Sequence, residues 1–431
     1  MRKRIVSSIL TASMTLAVLA QTTQSGTISP YSQYGLGILG DQSQGFSRGM
    51  DGTGIGLRQG TLVNTLNPAS YSAVDSLTML FDVGLSGQFT NFKENNTSVN
   101  TRSANFDYAV GLFRMRKNLG VSFGLLPFSD VGYSYTTSTY LNNSVGTISE
   151  SYTGSGGLHQ AFVGAGWNPV KPLSIGANIA FLWGNYKRSI ASSATSKVNS
   201  LSKTYKADVS SYKLDLGLQW QQSFGKRDVL TLGATWGLGH KLGADPTCEI
   251  INLNTATLVS DTTTFTINNG LELPTSYGVG FSWVHRQRLT IAADFSQQKW
   301  GSIDYPSYDD QTGRYALKSG LLCDRTRVSL GMDYVPNPFH QTKYMMHVHY
   351  RLGVGYATPY YKINGQDGPK ELSISAGLGI PILNKREGRS VLNVSAQWVH
   401  ASAQDLITDN TFRINLGLTF NQRWFAKFRI D

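Results

Sequence analysis

Across residues 412–420, apolar side chains occupy the even positions Phe412, Ile414, Leu416, Leu418 and Phe420, while Arg413, Asn415, Gly417 and Thr419 fill the odd ones. Successive strand side chains point to opposite faces, so this spacing makes one face apolar and the other polar or small. Residues 344–356 repeat the pattern. Tyr344, Met346, Val348, Tyr350, Leu352, Val354 and Tyr356 share one side, and His347, His349, Arg351, Gly353 and Gly355 share the other. A cation facing lipid at mid-bilayer costs roughly 2 to 4 kcal/mol, which assigns the even row outward and Arg351 to a lumen. Similar outward rows begin near Leu77, Tyr108, Val121, Ala161, Leu173, Leu214, Leu230, Tyr277, Leu289, Val328, Tyr344, Leu372, Leu392 and Phe412. That is an even count, as a closed bacterial transmembrane β-barrel with both termini in the periplasm requires.

The connections give the same count independently. After every second row comes a short, turn-like link, such as 117–120, 168–172, 224–228, 285–288, 336–339 and 384–388. The alternate links are long and polar, notably 186–212 and 239–276, the asymmetry of periplasmic turns against extracellular loops. Thr- and Tyr-rich stretches at 133–152 and 263–268 predict strands that continue beyond the membrane. The expected fold is therefore all-β, a 14-stranded antiparallel barrel over residues 77–431.

Composition narrows the choices. No apolar run after the N-terminus approaches the roughly 20 residues of a helical span. The chain has 45 glycines, and Gly176, Gly217, Gly233, Gly278, Gly280, Gly331, Gly353, Gly355, Gly377 and Gly379 fall in the inferred lumen rows. Glycine weakens a strand, so its use there predicts that something packs closely on the inner wall. Arg2-Lys3-Arg4 before the apolar run 5–20 reads as a signal peptide over residues 1–20, cut before Gln21. Its removal takes the formal charge from +11 to +8 (three cations lost), and much of the remainder sits in turns and the tail, so nucleic acid is not an expected partner. Outer-membrane phospholipid and lipopolysaccharide are. Trp424, Phe428 and Ile430 carry the last apolar row almost to the terminus, either as an insertion signal or as an interfacial aromatic girdle.

Residues 21–76 are too polar for membrane. They contain Tyr34-Gly35-Leu36-Gly37, then residues 48–54 (Arg-Gly-Met-Asp-Gly-Thr-Gly), then Asn67-Pro68-Ala69 shortly before the first strand. In this order, with this strand number and length, the chain resembles the FadL-type outer-membrane transporters of hydrophobic compounds. The resemblance implies a lumen hatch over 21–76 with Asn67, Pro68 and Ala69 as its motif. Read without it, the motif is a Pro-directed turn.

The resemblance also implies passive uptake of hydrophobic compounds such as long-chain fatty acids. Large apolar residues at expected inward positions, Leu80, Phe113, Leu126, Phe162 and Leu182, could line such a path or pack against a hatch. Pro127 removes a ladder hydrogen bond from the third strand. It marks either the inward kink by which the family opens its wall sideways or the end of the membrane strand. From a different class comes a second expectation, a non-transporting FadL-like barrel that serves as scaffold or shuttle in an envelope protein secretion or outer-membrane assembly complex, with a protein partner. No enzymatic Ser-His-acid spacing stands out, and no cofactor is implied. His347 and His349 lack Cys, Asp or Glu at ligand spacing and sit beside Arg351, which disfavours a metal. Cys248 and Cys323 are either a disulfide or two free thiols.

Overall fold

In the computed structural model the described residues are 29–76, 78–140, 147–194, 199–255, 257–338, 344–382 and 390–423. The segment 1–20, the turn 384–388 and the terminal Trp424, Phe428 and Ile430 lie outside them.

The dyad rows form fourteen antiparallel strands: β1 Thr78–Glu94, β2 Thr97–Arg116, β3 Leu119–Tyr140, β4 Thr147–Val170, β5 Leu173–Ala194, β6 Ser200–Phe224, β7 Asp228–Gly237, β8 Ser276–His285, β9 Leu289–Gln298, β10 Arg325–Tyr334, β11 His349–Ala357, β12 Lys370–Ile382, β13 Ser390–Ser402 and β14 Thr408–Arg423. Each pairs with its sequence neighbours, and β14 pairs with β1 from Thr78↔Arg423 to Lys93↔Thr408, which closes the barrel. Closure removes the sheet edges that a bilayer cannot solvate. At one end the strands are joined by tight turns. Between β8 and β9, Arg286 and Gln287 take φ of 52° and 56°, in the left-handed region that hairpin turns use. At the other end several strands run on. The expected loop 186–212 is largely strand, because β5 and β6 stay paired up to Ser192↔Leu201. Two further strands, Thr247–Leu253 and Ser260–Thr266, extend that wall by pairing with β6 and with each other.

Facing follows the expected rows on most strands: Phe81, Val83 and Leu85 on β1, Val279 and Phe281 on β8, and Leu352, Val354 and Tyr356 on β11 are exposed. Three details differ. On β2 the row is inverted at the turn end. Gly84 pairs with Tyr108 and Leu85 with Phe106, so Asp107 is the extra residue of a β-bulge. A one-residue insertion flips every side chain beyond it. Tyr108, Val110 and Leu112 are therefore buried inside, and Phe113, expected in the lumen wall, instead lies with the outward Phe123, ring centroids 6.5 Å apart. Second, residues Tyr344–His347 form a 3-10 turn rather than strand, Val348 is buried, and β11 begins only at His349. Third, β3 does not end at Pro127. It continues to Tyr140 through a bulge at Phe128, since Pro127 pairs with His159 and Ser129 with Leu158.

Candidate functional site

Residues 29–76 run along the inner wall in short pieces: a 3-10 turn Pro30–Gln33, a two-residue bridge Ile38–Leu39, a helical turn Gly45–Arg48 and a 3-10 turn Pro68–Ala73. Asn67 starts the last of these. Its Oδ1 accepts the Ala69 amide at 3.1 Å, and its Nδ2 donates to the carbonyls of Ile55 (3.0 Å), Leu218 on β6 (3.2 Å) and Ala234 on β7 (3.4 Å). One fully buried amide thus caps a turn and ties it to two strands. The strand glycines make room for this backbone. A Cβ on Gly353 would come within 2.3 Å of the Met50 carbonyl carbon, and one on Gly176 within 2.4 Å of that of Pro68. Pro68 and Ala69 therefore sit directly on the β5 wall.

Polar anchors continue around the circumference. Asp51, held at φ 54°, accepts hydrogen bonds from Ser373 (2.8 Å) and Gln397 (2.8 Å), its own amide donates to Ser375 Oγ (2.8 Å), and Arg327 lies 3.3 Å from its carboxylate. The Gly54 and Ile55 amides donate to Asp294 on β9 at 2.6 and 2.8 Å. Ser282 on β8 donates to Gly56 O at 2.7 Å, Ser329 on β10 meets Thr53 at 3.0 Å and Ser174 on β5 meets Ser72 at 3.0 Å. Arg48 pairs with the bulge residue Asp107 at 2.5 Å, donates to Asn415 on β14 at 3.2 Å and lies over the Tyr108 ring. Gln160 on β4 donates to Gln42, and Ser29 N donates to Gly132 O on β3 at 3.2 Å. With β11 touching Met50 through Gly353, the segment meets every strand from β2 to β14. Asp41, half-buried, would be raised by burial, but Arg48, Arg327 and Ser43 bring its pKa down to about 2.

The remaining sequence-selected residues divide between two apolar clusters. Leu80, Leu126 and Phe162 pack with Val63, Tyr71 and Val74, and Leu182 packs with Tyr31 and Leu36 nearer the loop end. Each thus shares a cluster with residues of the N-terminal segment. His349 bonds Asp333 at 2.9 Å, and Arg351 bonds the same carboxylate at 3.1 Å, while His347 belongs to the 3-10 turn and is not beside them on the strand. Among the described residues no group of three potential metal ligands exists. Cys248 and Cys323 are both free. Sequence reading quoted Arg48 and Asp51 only within the 48–54 stretch, with no role for either, and did not single out Asp294. Their only signal was a charge inside an otherwise Gly-, Ser- and Thr-rich stretch or lumen row.

One seam of the wall is incomplete. β2 and β3 pair from Arg116↔Leu119 only as far as Ala109↔Leu125. Above that level the β3 edge is taken by the N-terminal segment, with Ile38↔Asp130 and Leu39↔Ser129 paired and Gly40 N bonded to Phe128 O at 2.8 Å. Pro127 contributes its carbonyl to Gln42 Nε2 at 2.9 Å. A cavity of about 2430 Å³ lies over residues 38–42, and its lining joins lumen residues such as Leu126, Arg327 and Asp409 to the outward Val83, Phe89, Phe106 and Leu125 at this seam.

These features can be set beside known proteins. A family model described as BamG matches residues 1–431. The chain belongs to the BamG family. Solved structures similar to this BamG-family chain include the Ralstonia pickettii toluene transporter TbuX, with 14% identity and a TM-score of 0.59 over 88% of this chain and 97% of that one. A Pseudomonas aeruginosa FadL homologue aligns at 10% identity and TM-score 0.61, covering 89% and 98%. The P. putida toluene transporter TodX aligns at 14% and 0.59, covering 88% and 98%. A comparison with curated proteins gives no match. At such identities the likeness is one of fold: the chain is a FadL-like β-barrel.

Proposed function

We propose that this chain is a non-transporting outer-membrane barrel that holds a protein partner within an envelope secretion or outer-membrane assembly complex, with residues 21–76 as a fixed plug. The observation that carries this reading is the anchoring of residues 29–76 to strands around the whole circumference, packed so closely that the wall uses glycine where they touch. Movement of such a segment would break many buried hydrogen bonds at once, each costly to leave unmade. The match to the BamG family model over residues 1–431 is compatible with the same reading. A signal peptide over 1–20 and turns on the periplasmic side belong to it.

The cavity and the incomplete β2–β3 seam favour a second reading, passive uptake of a hydrophobic compound that leaves sideways near Pro127. The toluene transporters that share the fold support it. Native mass spectrometry of the mature protein, extracted gently from its own membrane, separates the two. The first reading expects a stoichiometric protein partner and no ligand. A retained lipophilic molecule without a partner would contradict it, and Pro127→Thr should then lower uptake while leaving folding intact.

A further inference from the structure

We infer that the free edge of β2, between Thr97 and Tyr108, receives an extended segment of a second polypeptide, which adds to the barrel wall as a β-strand. The inference rests on the partner reading above and specifies where that partner binds.

On one side β2 pairs with β1 throughout this stretch, from Gly84↔Tyr108 to Glu94↔Thr97. On the other side it pairs with β3 only from Ala109 downward. No backbone hydrogen bond from any other described segment reaches residues 97–108 on that side. The lower part of this edge lies at bilayer depth, because Phe106 is level with Leu85 and Leu416 in the ladder, two residues on the lipid face. Open sheet edges are not tolerated against lipid, which offers neither donors nor acceptors. The facing edge of β3 is already satisfied in part by residues 38–40, so the two banks cannot simply zip together there.

The chemistry of the edge selects its occupant. A row of alternating amide and carbonyl groups is matched by another extended backbone, whereas an acyl chain or aromatic hydrocarbon matches none of it. Side chains add a second indication. Above the bulge all four of residues 103–106 line the cavity, with Ala104 and Phe106 exposed and Ser103 and Asn105 half-buried. The Ser103 hydroxyl on one bank and the Ser129 hydroxyl on the other are buried without a hydrogen-bond partner among the described residues. A strand laid along β2 with apolar residues toward lipid and polar residues inward would cover the outward row and supply partners for both hydroxyls.

The test uses the full chain in its native outer membrane. Photo-crosslinking amino acids are placed singly at Asn100 and Ala104 on the free edge and, as a control, at Ile414 on the fully paired β14. The expected result is a covalent adduct to a second polypeptide from positions 100 and 104 only, mapping to a segment of alternating apolar and polar residues. Ala104→Pro and Asn105→Pro are compared in parallel. Neighbouring amides point to opposite sides, so one proline should disturb β1 pairing while the other leaves a folded, heat-modifiable barrel. The folded variant should recover about tenfold less partner, the effect of one lost buried hydrogen bond. Adducts to residues 21–28 of the same chain, or to lipid alone, would overturn the inference. If a partner co-purifies but crosslinks only elsewhere, the edge assignment fails and the partner reading stands. If no partner is found, both fail.

Discussion

On β14, Phe412, Ile414, Leu416 and Phe420 are 39–48% exposed, whereas Asn415 between them is 3% exposed and bonded to Arg48 and Ser395. The same strand thus obeys two rules. Its outer face needs only to be apolar, since lipid adapts to any shape. Its inner face meets a fixed backbone and must match it in volume and hydrogen bonding. The contrast holds around the wall, and it explains why glycines gather inside although glycine weakens strands.

Charge on the outer face should have the largest effect. Leu416→Arg puts a cation toward lipid at a cost of roughly 2 to 4 kcal/mol and should abolish the heat-modifiable, assembled species on gels. Ser296→Arg, on the cavity side of β9, should assemble normally. Equal damage from both would erase the distinction between the faces. Asn415→Arg sharpens it, because that inward position abuts Arg48 and should fail even though it never meets lipid.

Volume comes next. Gly353→Val drives a side chain into Met50 and Asp51, and overpacking of this kind costs about 1 to 3 kcal/mol. Gly87→Val meets nothing within 4 Å and should be silent. The melting temperature in detergent reads both. Asn67→Ala removes a cap and the donor to three carbonyls, and about 0.5–2 kcal/mol for the cap alone should appear as faster proteolysis within residues 29–76.

The smallest effect is electrostatic. The Asp41 carboxyl is held at about 2 against an ordinary 3.8, so its contribution is fully present above pH 3.8 and fades as pH falls through 2. Asp41→Asn should therefore lower stability at pH 7 and lose that deficit near pH 2. An equal deficit at both values would assign the effect to packing.

Most of the outer face was legible in the sequence because lipid imposes one simple demand at every second residue. The exception on β2 has a physical cause. Tyr108, Val110 and Leu112 form an apolar row that lipid would accept, yet a single extra residue at Asp107 turns it inward against the N-terminal segment. A bulge leaves no mark in composition. The inner face was legible only as an excess of small residues. The partners of Asp51 stand 276 to 346 residues away in the chain, and no local pattern couples Asp51 to Arg327, Ser373 or Gln397. Pro127 announced an irregularity, but whether β3 would stop, kink or bulge depended on residues 38–42, which take up its freed edge.

That residues 29–76 are fixed can be tested with disulfide locks. With Cys248 and Cys323 replaced by Ser, Thr53→Cys with Ser329→Cys and Ser72→Cys with Ser174→Cys would tie the segment to β10 and β5 where hydroxyls now lie 3.0 Å apart. The doubly locked protein should recover its protein partner as well as the reduced form does, with no change in uptake of hydrophobic compounds. Uptake that stops on oxidation and returns on reduction would show that the segment moves, and would contradict that expectation.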